Sequence, residues 1–590
     1  MPTAETPRRW AWPGLAAALA VGLGLRLWGI GQGLPYAYNA DEADHFLPRA
    51  VAMFGRGLNP HYFANPPGFT YLLHFLLALF YGGETGVQHA VALHPTEVYT
   101  LARVAAAVLG VAALWLLYVT GTRLFGRGVG VLAAAIEAVA FLPVFYAHLA
   151  LNDVPTLAPL TLSLVGTAGV LRRGRTRDYV LAGVGLGLAC ATKYTAGVAL
   201  VPFAAAVAAR YLDGEAGAAR RAVSGIALTA VVALLAFLIA NPYAALDFQS
   251  FHRDVVHQST LSSEAQGKLG APRHGGLVYY LWSLTWGLGW APALAALAGA
   301  VTVWRSSRAL GWLLVPAPLL FLAFMGLQGR YFGRWLLPIF PIVCLLAALF
   351  TLRAADVLAR LATRMRRGRP RSSRHLQGLA VPPSALARGS RSLRRWRAAL
   401  TALFAAVLLA QGLLYSVHSG LVLSRADTRS LTRAWMVAHI PAGTPIVVEP
   451  VAPDAWGSRW SKYPSLELRI SASGALAPDS LALVSIEDYE HTLSPALIGY
   501  YERYGYCWVL SGTTQSGRAF ADPKAVPAAI AYYRALAAQG EVVYEASPYA
   551  RGHGPVPFGF DWSFDYYPLA YDRPGPVMTV YRLHGGRCGP

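Results

Sequence analysis

A helix that crosses a bilayer needs roughly 20 mostly apolar residues. This chain repeats that pattern at about 12–30, 97–120, 128–147, 154–171, 179–193, 195–211, 222–241, 276–303, 309–327, 333–352 and 398–418, eleven runs in all. Runs 179–193 and 195–211 are short and meet at Thr192-Lys193-Tyr194. A further apolar stretch, 68–82, follows Pro66-Pro67 and is only 15 residues long, so it reads as an interfacial or re-entrant helix. With 55% apolar and 14% charged residues, against about 25% charged in soluble domains, disorder is excluded and a wholly soluble chain is disfavoured.

The net charge of +20 suggests nucleic acid at first sight, but its placement points to a membrane. Residues 1–419 hold 36 basic and 15 acidic residues, and residues 420–590 hold 14 and 15. Arg8-Arg9, Arg123/Arg127, Arg172 to Arg177, Arg220-Arg221, Arg305/Arg308 and segment 353–397 fall in alternate loops, which the positive-inside rule makes cytoplasmic. Segment 353–397 carries 13 Arg and one acid, Asp356, and is expected to be a flexible basic linker. Loops 31–96, 148–153, the Lys193 junction, 242–275 and 328–334 and everything after about 419 are then extracytoplasmic, with the N-terminus cytoplasmic. The first helix reads as uncleaved, because no small-x-small site ends it before Arg26. The expected location is the plasma (inner) membrane.

Beyond 420 the long apolar runs stop. Strand-like stretches lie at 445–449, 480–486, 506–511, 541–546 and 576–583, with helix-like segments at 426–439 and 523–539. The expected fold class is therefore mainly α, a polytopic membrane protein with about 11 transmembrane helices plus interfacial helices, and a C-terminal soluble α/β domain. Its parts are a transmembrane domain (1–352), the linker (353–397), a last transmembrane helix (398–419) and the α/β domain (420–590). That domain has no nucleotide loop and no catalytic motif. Its aromatics, among them Tyr500, Tyr501, Tyr504, Tyr506, Trp508, Trp562, Phe564, Tyr566 and Tyr567, suit either a core or sugar rings. The domain is expected to cap the membrane part and help seat an acceptor. Of the four cysteines, Cys507 and Cys588 can bridge if this domain is exported; Cys190 and Cys344 lie in apolar runs.

Polar residues crowd into the extracytoplasmic loops. The first reads Asn39-Ala40-Asp41-Glu42-Ala43-Asp44-His45 and continues through Asn59-Pro60-His61-Tyr62 and Asn65-Pro66-Pro67. An Asp here can simply cap a helix. At a membrane surface, an adjacent carboxylate pair can also supply a general base and its orienting partner. The second loop brings His148 and Asp153, the latter again a cap or a second carboxylate on the same face. Lys193, between two apolar runs, either snorkels or serves a site. Arg330-Tyr331-Phe332-Gly333-Arg334 runs against the positive-inside trend, and phosphate is a natural partner for an external guanidinium, as is a carboxylate such as Asp41.

Taken in order, Arg26-Leu27-Trp28-Gly29, Asp41-Glu42-Ala43, Asn65-Pro66-Pro67, Arg103, Arg123-Leu124-Phe125-Gly126, Asp153, Gly187 to Tyr194, Arg330-Tyr331 and Leu337-Pro338-Ile339-Phe340-Pro341 resemble the GT-C glycosyltransferases over roughly residues 10–350. The likeness is to the protein O-mannosyltransferase and aminoarabinose transferase branch. It implies transfer of a sugar from a polyprenyl-phosphate carrier to an extracytoplasmic glycan, lipid or protein acceptor in contact with membrane lipid. It implies Asp41, Glu42 and Asp153 as catalytic carboxylates, Asp41 the base. Where the aminoarabinose branch has a Lys before Pro-Pro, this chain has Asn65, so Lys193, Arg330 and Arg334, beside Tyr331, are left to hold the donor phosphate. His45, His61, Tyr62, Asn65, His148 and Tyr194 are the expected substrate-contacting residues. No His/Cys cluster at ligand spacing is present, and neither a metal nor another cofactor is expected. No nucleic-acid partner is expected. The rival readings are a polytopic transporter and a carrier-lipid polymerase or ligase of another mechanism.

Overall fold

A computed structural model describes residues 8–214, 217–264, 269–271, 275–366, 383–450, 489–559 and 569–589. The expected strand 480–486, the arginine run after Arg366 and the aromatics Trp562, Phe564, Tyr566 and Tyr567 lie outside the described residues.

All eleven apolar stretches fall on helices. After α1 (Arg8–Leu27), the first loop folds into four short helices, α2 (Ala40–Asp44), α3 (Leu47–Arg56), α4 (Gly68–Tyr81) and α5 (Glu84–Leu93). α4 is the short apolar helix expected after Pro66-Pro67. α6 (Pro95–Phe125) ends where Gly126 takes φ +106, and α7 (Arg127–Val139) returns from that turn. α8 (Phe141–Phe145) and the 3-10 turn Tyr146–His148 bend 61° from α7. α9 (Leu157–Arg172), α10 (Thr176–Thr192), α11 (Leu200–Leu212, entered through the 3-10 turn Tyr194–Ala199) and α12 (Ala218–Ala240) follow. A Cβ at Gly166 would lie 2.2 Å from the Ala182 nitrogen, and one at Gly185 2.2 Å from the Ser163 nitrogen. Only glycine at these positions lets α9 and α10 touch backbone to backbone, the small-residue device of helices packing in lipid.

The loop expected at 242–275 contains α13 (Tyr243–Leu246) and the 16-residue α14 (Phe248–Ser263). α14 has no fully buried residue, so it left no apolar stripe to read. α15 (Gly276–Leu284) passes through a π segment, Thr285–Gly289, into α16 (Trp290–Ser306). α17 (Arg308–Leu314) and α18 (Pro316–Gly326) share one apolar stretch, and the 3-10 turn Gly333–Ile339 leads into α19 (Phe340–Arg366), ahead of α20 (Pro383–Leu423). The basic stretch 353–397 is therefore helical at both ends, because its Ala-, Leu- and Arg-rich sequence favours helix. Its single acid, Asp356, pairs with Arg397 at 2.6 Å, joining α19 to α20.

Among the described residues seven helices are long and apolar enough to cross a membrane, or eight if the bent α7–α8 pair counts as one span. The count of eleven crossings is reached only by including shorter apolar helices such as Ala11–Leu27 and Leu157–Arg172. The chain is a multi-pass membrane protein. α19 runs through the middle, and Ile342 to Leu349 are buried without interruption. α12 instead exposes Val223, Ile226, Val231, Leu235 and Ile239, an apolar face suited to lipid.

The C-terminal domain comprises α21 (Thr428–His439), β1 (Ile446–Val448), α22 (Ala496–Tyr504), β2 (Trp508–Gly512), α23 (Thr513–Ala521), α24 (Pro527–Gln539), β3 (Glu541–Ala546) and β4 (Met578–Arg582). The sheet order is β1-β2-β4-β3, with β1 and β2 parallel and the other neighbours antiparallel. A disulfide joins Cys507, before β2, to Cys588, beyond β4. Two pieces of the membrane domain's loops insert here. Tyr36 and Tyr38 pack against the cluster around Met436, Ile446 and Val580, and Leu269 belongs to the cluster around Tyr501 and Leu536.

Candidate active site

Asn39 caps α2, its side-chain oxygen accepting from the Glu42 backbone N–H at 3.1 Å. This single turn sends Asp41 and Glu42 in different directions. Glu42 is wholly buried and accepts from Arg103 Nε at 2.8 Å, Arg103 Nη2 at 2.7 Å and the Ala150 backbone N–H at 2.8 Å. Arg103 Nη1 donates onward to the carbonyls of Ile30 and Gln32, at 2.7 and 2.8 Å. One buried ion pair thus joins the start of the first loop, α2, α6 and the second loop. Arg103 was visible in the sequence as a charge inside an apolar helix, which marks a structural or functional demand.

Asp41 stays partly open to solvent, with 36% of its side chain exposed. Arg334 Nη2 pairs with its Oδ2, and Arg334 Nε lies 3.7 Å from Asp153 Oδ2. Lys193 Nζ donates to Asp153 Oδ1. Asp153 is 5% exposed, Lys193 12% and Arg334 14%. The result is an alternating row, Asp41, Arg334, Asp153, Lys193, drawn from four separate parts of the sequence. Two positive and two negative charges compensate one another at low exposure, which makes the row tolerable there. Lys193 is placed by the end of α10, where it is the C-cap residue, and Arg334 by the 3-10 turn before α19.

His45 closes α2 and brings Nε2 to 3.6 Å from Asp41 Oδ1. Its ring stacks on Tyr62 with centroids 5.1 Å apart, and Arg49 lies over the same ring at 3.9 Å. Burial pushes the His45 imidazole below its usual range, with Asp41 pulling the other way, and burial raises the Tyr62 phenol. Asn65 donates to the Tyr62 hydroxyl at 2.8 Å, and the Tyr194 hydroxyl donates to the Phe63 carbonyl at 2.9 Å. The expected residues His45, Tyr62, Asn65 and Tyr194 thus form one wall beside Asp41. α14 fastens this wall: Asn59 donates to Asp247 at 2.8 Å and the Phe63 N–H to Asp254 at 3.0 Å.

Other expected residues have their own partners. His148 is buried, with Nδ1 3.0 Å from the Val144 carbonyl oxygen and Nε2 3.0 Å from that of Trp28. His61 sits at φ +48 in an exposed turn, where its backbone N–H donates to Asn59. The Tyr331 ring packs on Tyr279 and Tyr280. Arg330 is anchored by its backbone N–H to the Ser262 carbonyl of α14 at 3.2 Å. The C-terminal domain also reaches the site, which no sequence motif announced. Tyr38, three residues before Asp41, shares a 2.9 Å hydrogen bond with Ser430 and lies under the Arg429 guanidinium at 3.9 Å.

Residues 64–244 match the family described as dolichyl-phosphate-mannose-protein mannosyltransferase. Among solved structures, the oligosaccharyltransferase AglB of Archaeoglobus fulgidus, in complex with an inhibitory peptide and a dolichol-phosphate, aligns at 13% identity over 91% of this chain and 73% of that one, with a TM-score of 0.50. This chain shares the fold of that structure. Weaker likenesses include ArnT of Cupriavidus metallidurans bound to undecaprenyl phosphate (15% identity, 98% of each chain, TM-score 0.45). Another is the Saccharomyces cerevisiae Pmt1-Pmt2 complex bound to the sugar donor (17% identity, 41% of this chain and 34% of that one, TM-score 0.34). No curated protein matches the sequence.

Proposed function

We propose that the protein transfers a sugar from a polyprenyl-phosphate carrier to an extracytoplasmic acceptor, with Asp41 as general base. The observation that carries this reading is the row Asp41–Arg334–Asp153–Lys193, in which only the first carboxylate is open to incoming substrate. The acceptor hydroxyl gives its proton to Asp41 as its oxygen bonds the anomeric carbon. The bond from that carbon to the phosphate oxygen breaks, and polyprenyl phosphate leaves with one more negative charge. Lys193 and Arg334 face that growing charge, the preorganised stabilisation that serves such a step. Donor phosphate competes for Arg334 and so releases Asp41 to act as base. Arg103 and Glu42 hold the α2 turn from behind.

Support comes from the GT-C fold, from the mannosyltransferase-family match over residues 64–244 and from the dolichol-phosphate held by the AglB structure. The Cys507–Cys588 disulfide suits an oxidising compartment and so an extracytoplasmic C-terminal domain. The test is Asp41→Asn in membranes supplied with polyprenyl-phosphate sugars. Release of polyprenyl phosphate should fall by about 10²–10⁴-fold, while donor binding persists. Turnover within a few-fold of the parent would end the assignment.

A further inference from the structure

The α/β domain holds a cleft of about 340 Å³ far in sequence from the charged row. Its size falls in the range of roughly 300–1,000 Å³ typical of small-molecule sites. α23 lines it with Thr514, Ser516, whose hydroxyl donates to the Gly512 carbonyl at 3.3 Å and keeps its lone pairs to accept, and Phe520; Tyr549, Phe558 and Tyr571 line the rest. Among the described lining residues none is charged. A phosphate, carboxylate or ammonium ligand would find no counter-ion among them. Flat aromatic faces beside hydroxyl groups instead suit a neutral polyol, because a sugar ring offers C–H faces to stack and O–H edges to hydrogen-bond.

The walls are held firmly. Thr513 exchanges hydrogen bonds with Val577, its N–H donating to the Val577 carbonyl and its Oγ1 accepting from the Val577 N–H, each at 3.0 Å. Tyr549 and Tyr571 pair edge to face at 5.2 Å, and the Val556 N–H donates to the Tyr549 hydroxyl at 3.3 Å. Phe558 lies between two glycines: a Cβ on Gly517 would sit 2.7 Å from its ring and one on Gly270 2.6 Å. Gly270 belongs to the loop after α14, and α14 grips both the wall at Asn59 and Phe63 and the backbone of Arg330. The segment that supplies Gly270 thus follows the helix that holds the wall beside Asp41.

We propose that this cleft is a saccharide subsite that holds a neutral sugar of the acceptor, which makes the acceptor a glycan or glycoconjugate. The assignment rests on the transferase reading for its meaning, yet its binding test does not need turnover. The full-length protein in lipid nanodiscs is titrated with maltotetraose, mannotetraose and chitotetraose, and binding is read by saturation-transfer NMR. At least one should bind, at least tenfold more weakly in Tyr549→Ala and in the milder Ser516→Ala/Thr514→Val pair, and unchanged in Asp41→Asn. Absence of binding by all three, or binding that survives both sets of substitutions, overturns the subsite. If Asp41→Asn leaves transfer intact while saccharide binding depends on Tyr549, the catalytic reading fails and the subsite stands.

Discussion

Glu42→Gln separates scaffold from chemistry within the Asp41-Glu42 pair. The carboxylate now satisfies three donors, two from Arg103 and one from Ala150, at 2.7–2.8 Å and with both charged side chains 0% exposed. A glutamine offers one carbonyl oxygen, and its NH2 must face an N–H of either Arg103 or Ala150. At least one donor is stranded, and the guanidinium loses its counter-charge. Breaking a buried pair from one side costs about 3–5 kcal/mol, several times the ~1 kcal/mol of an ordinary hydrogen bond. At about 2–4 °C per kcal/mol for a unit of 150–250 residues, the unfolding midpoint should fall by roughly 6–20 °C. Scanning fluorimetry of the purified protein in detergent reads this directly. Adding Arg103→Met to Glu42→Gln should recover much of the loss, because an apolar replacement of both partners is often neutral. A Glu42→Gln protein that melts like the parent but does not turn over would refute the scaffold role and return Glu42 to the chemistry.

Three further outcomes are expected. Arg334→Lys cannot span both Asp41 and Asp153, so polyprenyl-phosphate release should slow by about 10²-fold, the scale of one lost charge-stabilising donor; a loss under threefold would contradict its role. Transfer should continue in the presence of EDTA, since Lys193 and Arg334 supply the positive charge; strict dependence on added Mg²⁺ or Mn²⁺ would place a metal at Asp41 and Asp153. In the α/β domain, burial pushes the Glu449 carboxyl up to about 7, although Gly512, Ser511 and Tyr533 donate to it. The folded state then holds a proton that the unfolded state has released, so stability declines as pH rises from about 4.5 through about 7 and is regained below that window. Hydrogen exchange of β2 at pH 5 and pH 8 should show this loosening, and Glu449→Gln should flatten it.

The membrane helices and much of the C-terminal secondary structure were legible because both follow apolar periodicity. Four of the five expected strands match β1 to β4, and the other falls outside the described residues. α14 escaped notice because it has no buried face, and α22 and α23 because they are only nine residues each. At the site, the crowding of Asp41, Asp153, Lys193 and Arg334 on one face could be inferred from loop parity. The division of labour between Asp41 and Glu42 could not. Adjacent residues on one helical turn point about 100° apart, and only the position of Arg103 decides which of them is buried. Nor could a sequence show that Tyr38 would lie under Arg429, since 391 positions separate the two.

That last contact limits how such a protein could be rebuilt from parts. Tyr36 and Tyr38 complete one hydrophobic cluster of the C-terminal domain, and Leu269 completes another. The domain's interior is thus finished with side chains encoded in two loops far upstream. Grafting a foreign domain after α20 would leave these three apolar residues facing water and the segment before Asp41 without its clamp. A working chimera would have to exchange the domain together with residues around 36–38 and 269–270, treating them as a single inherited block.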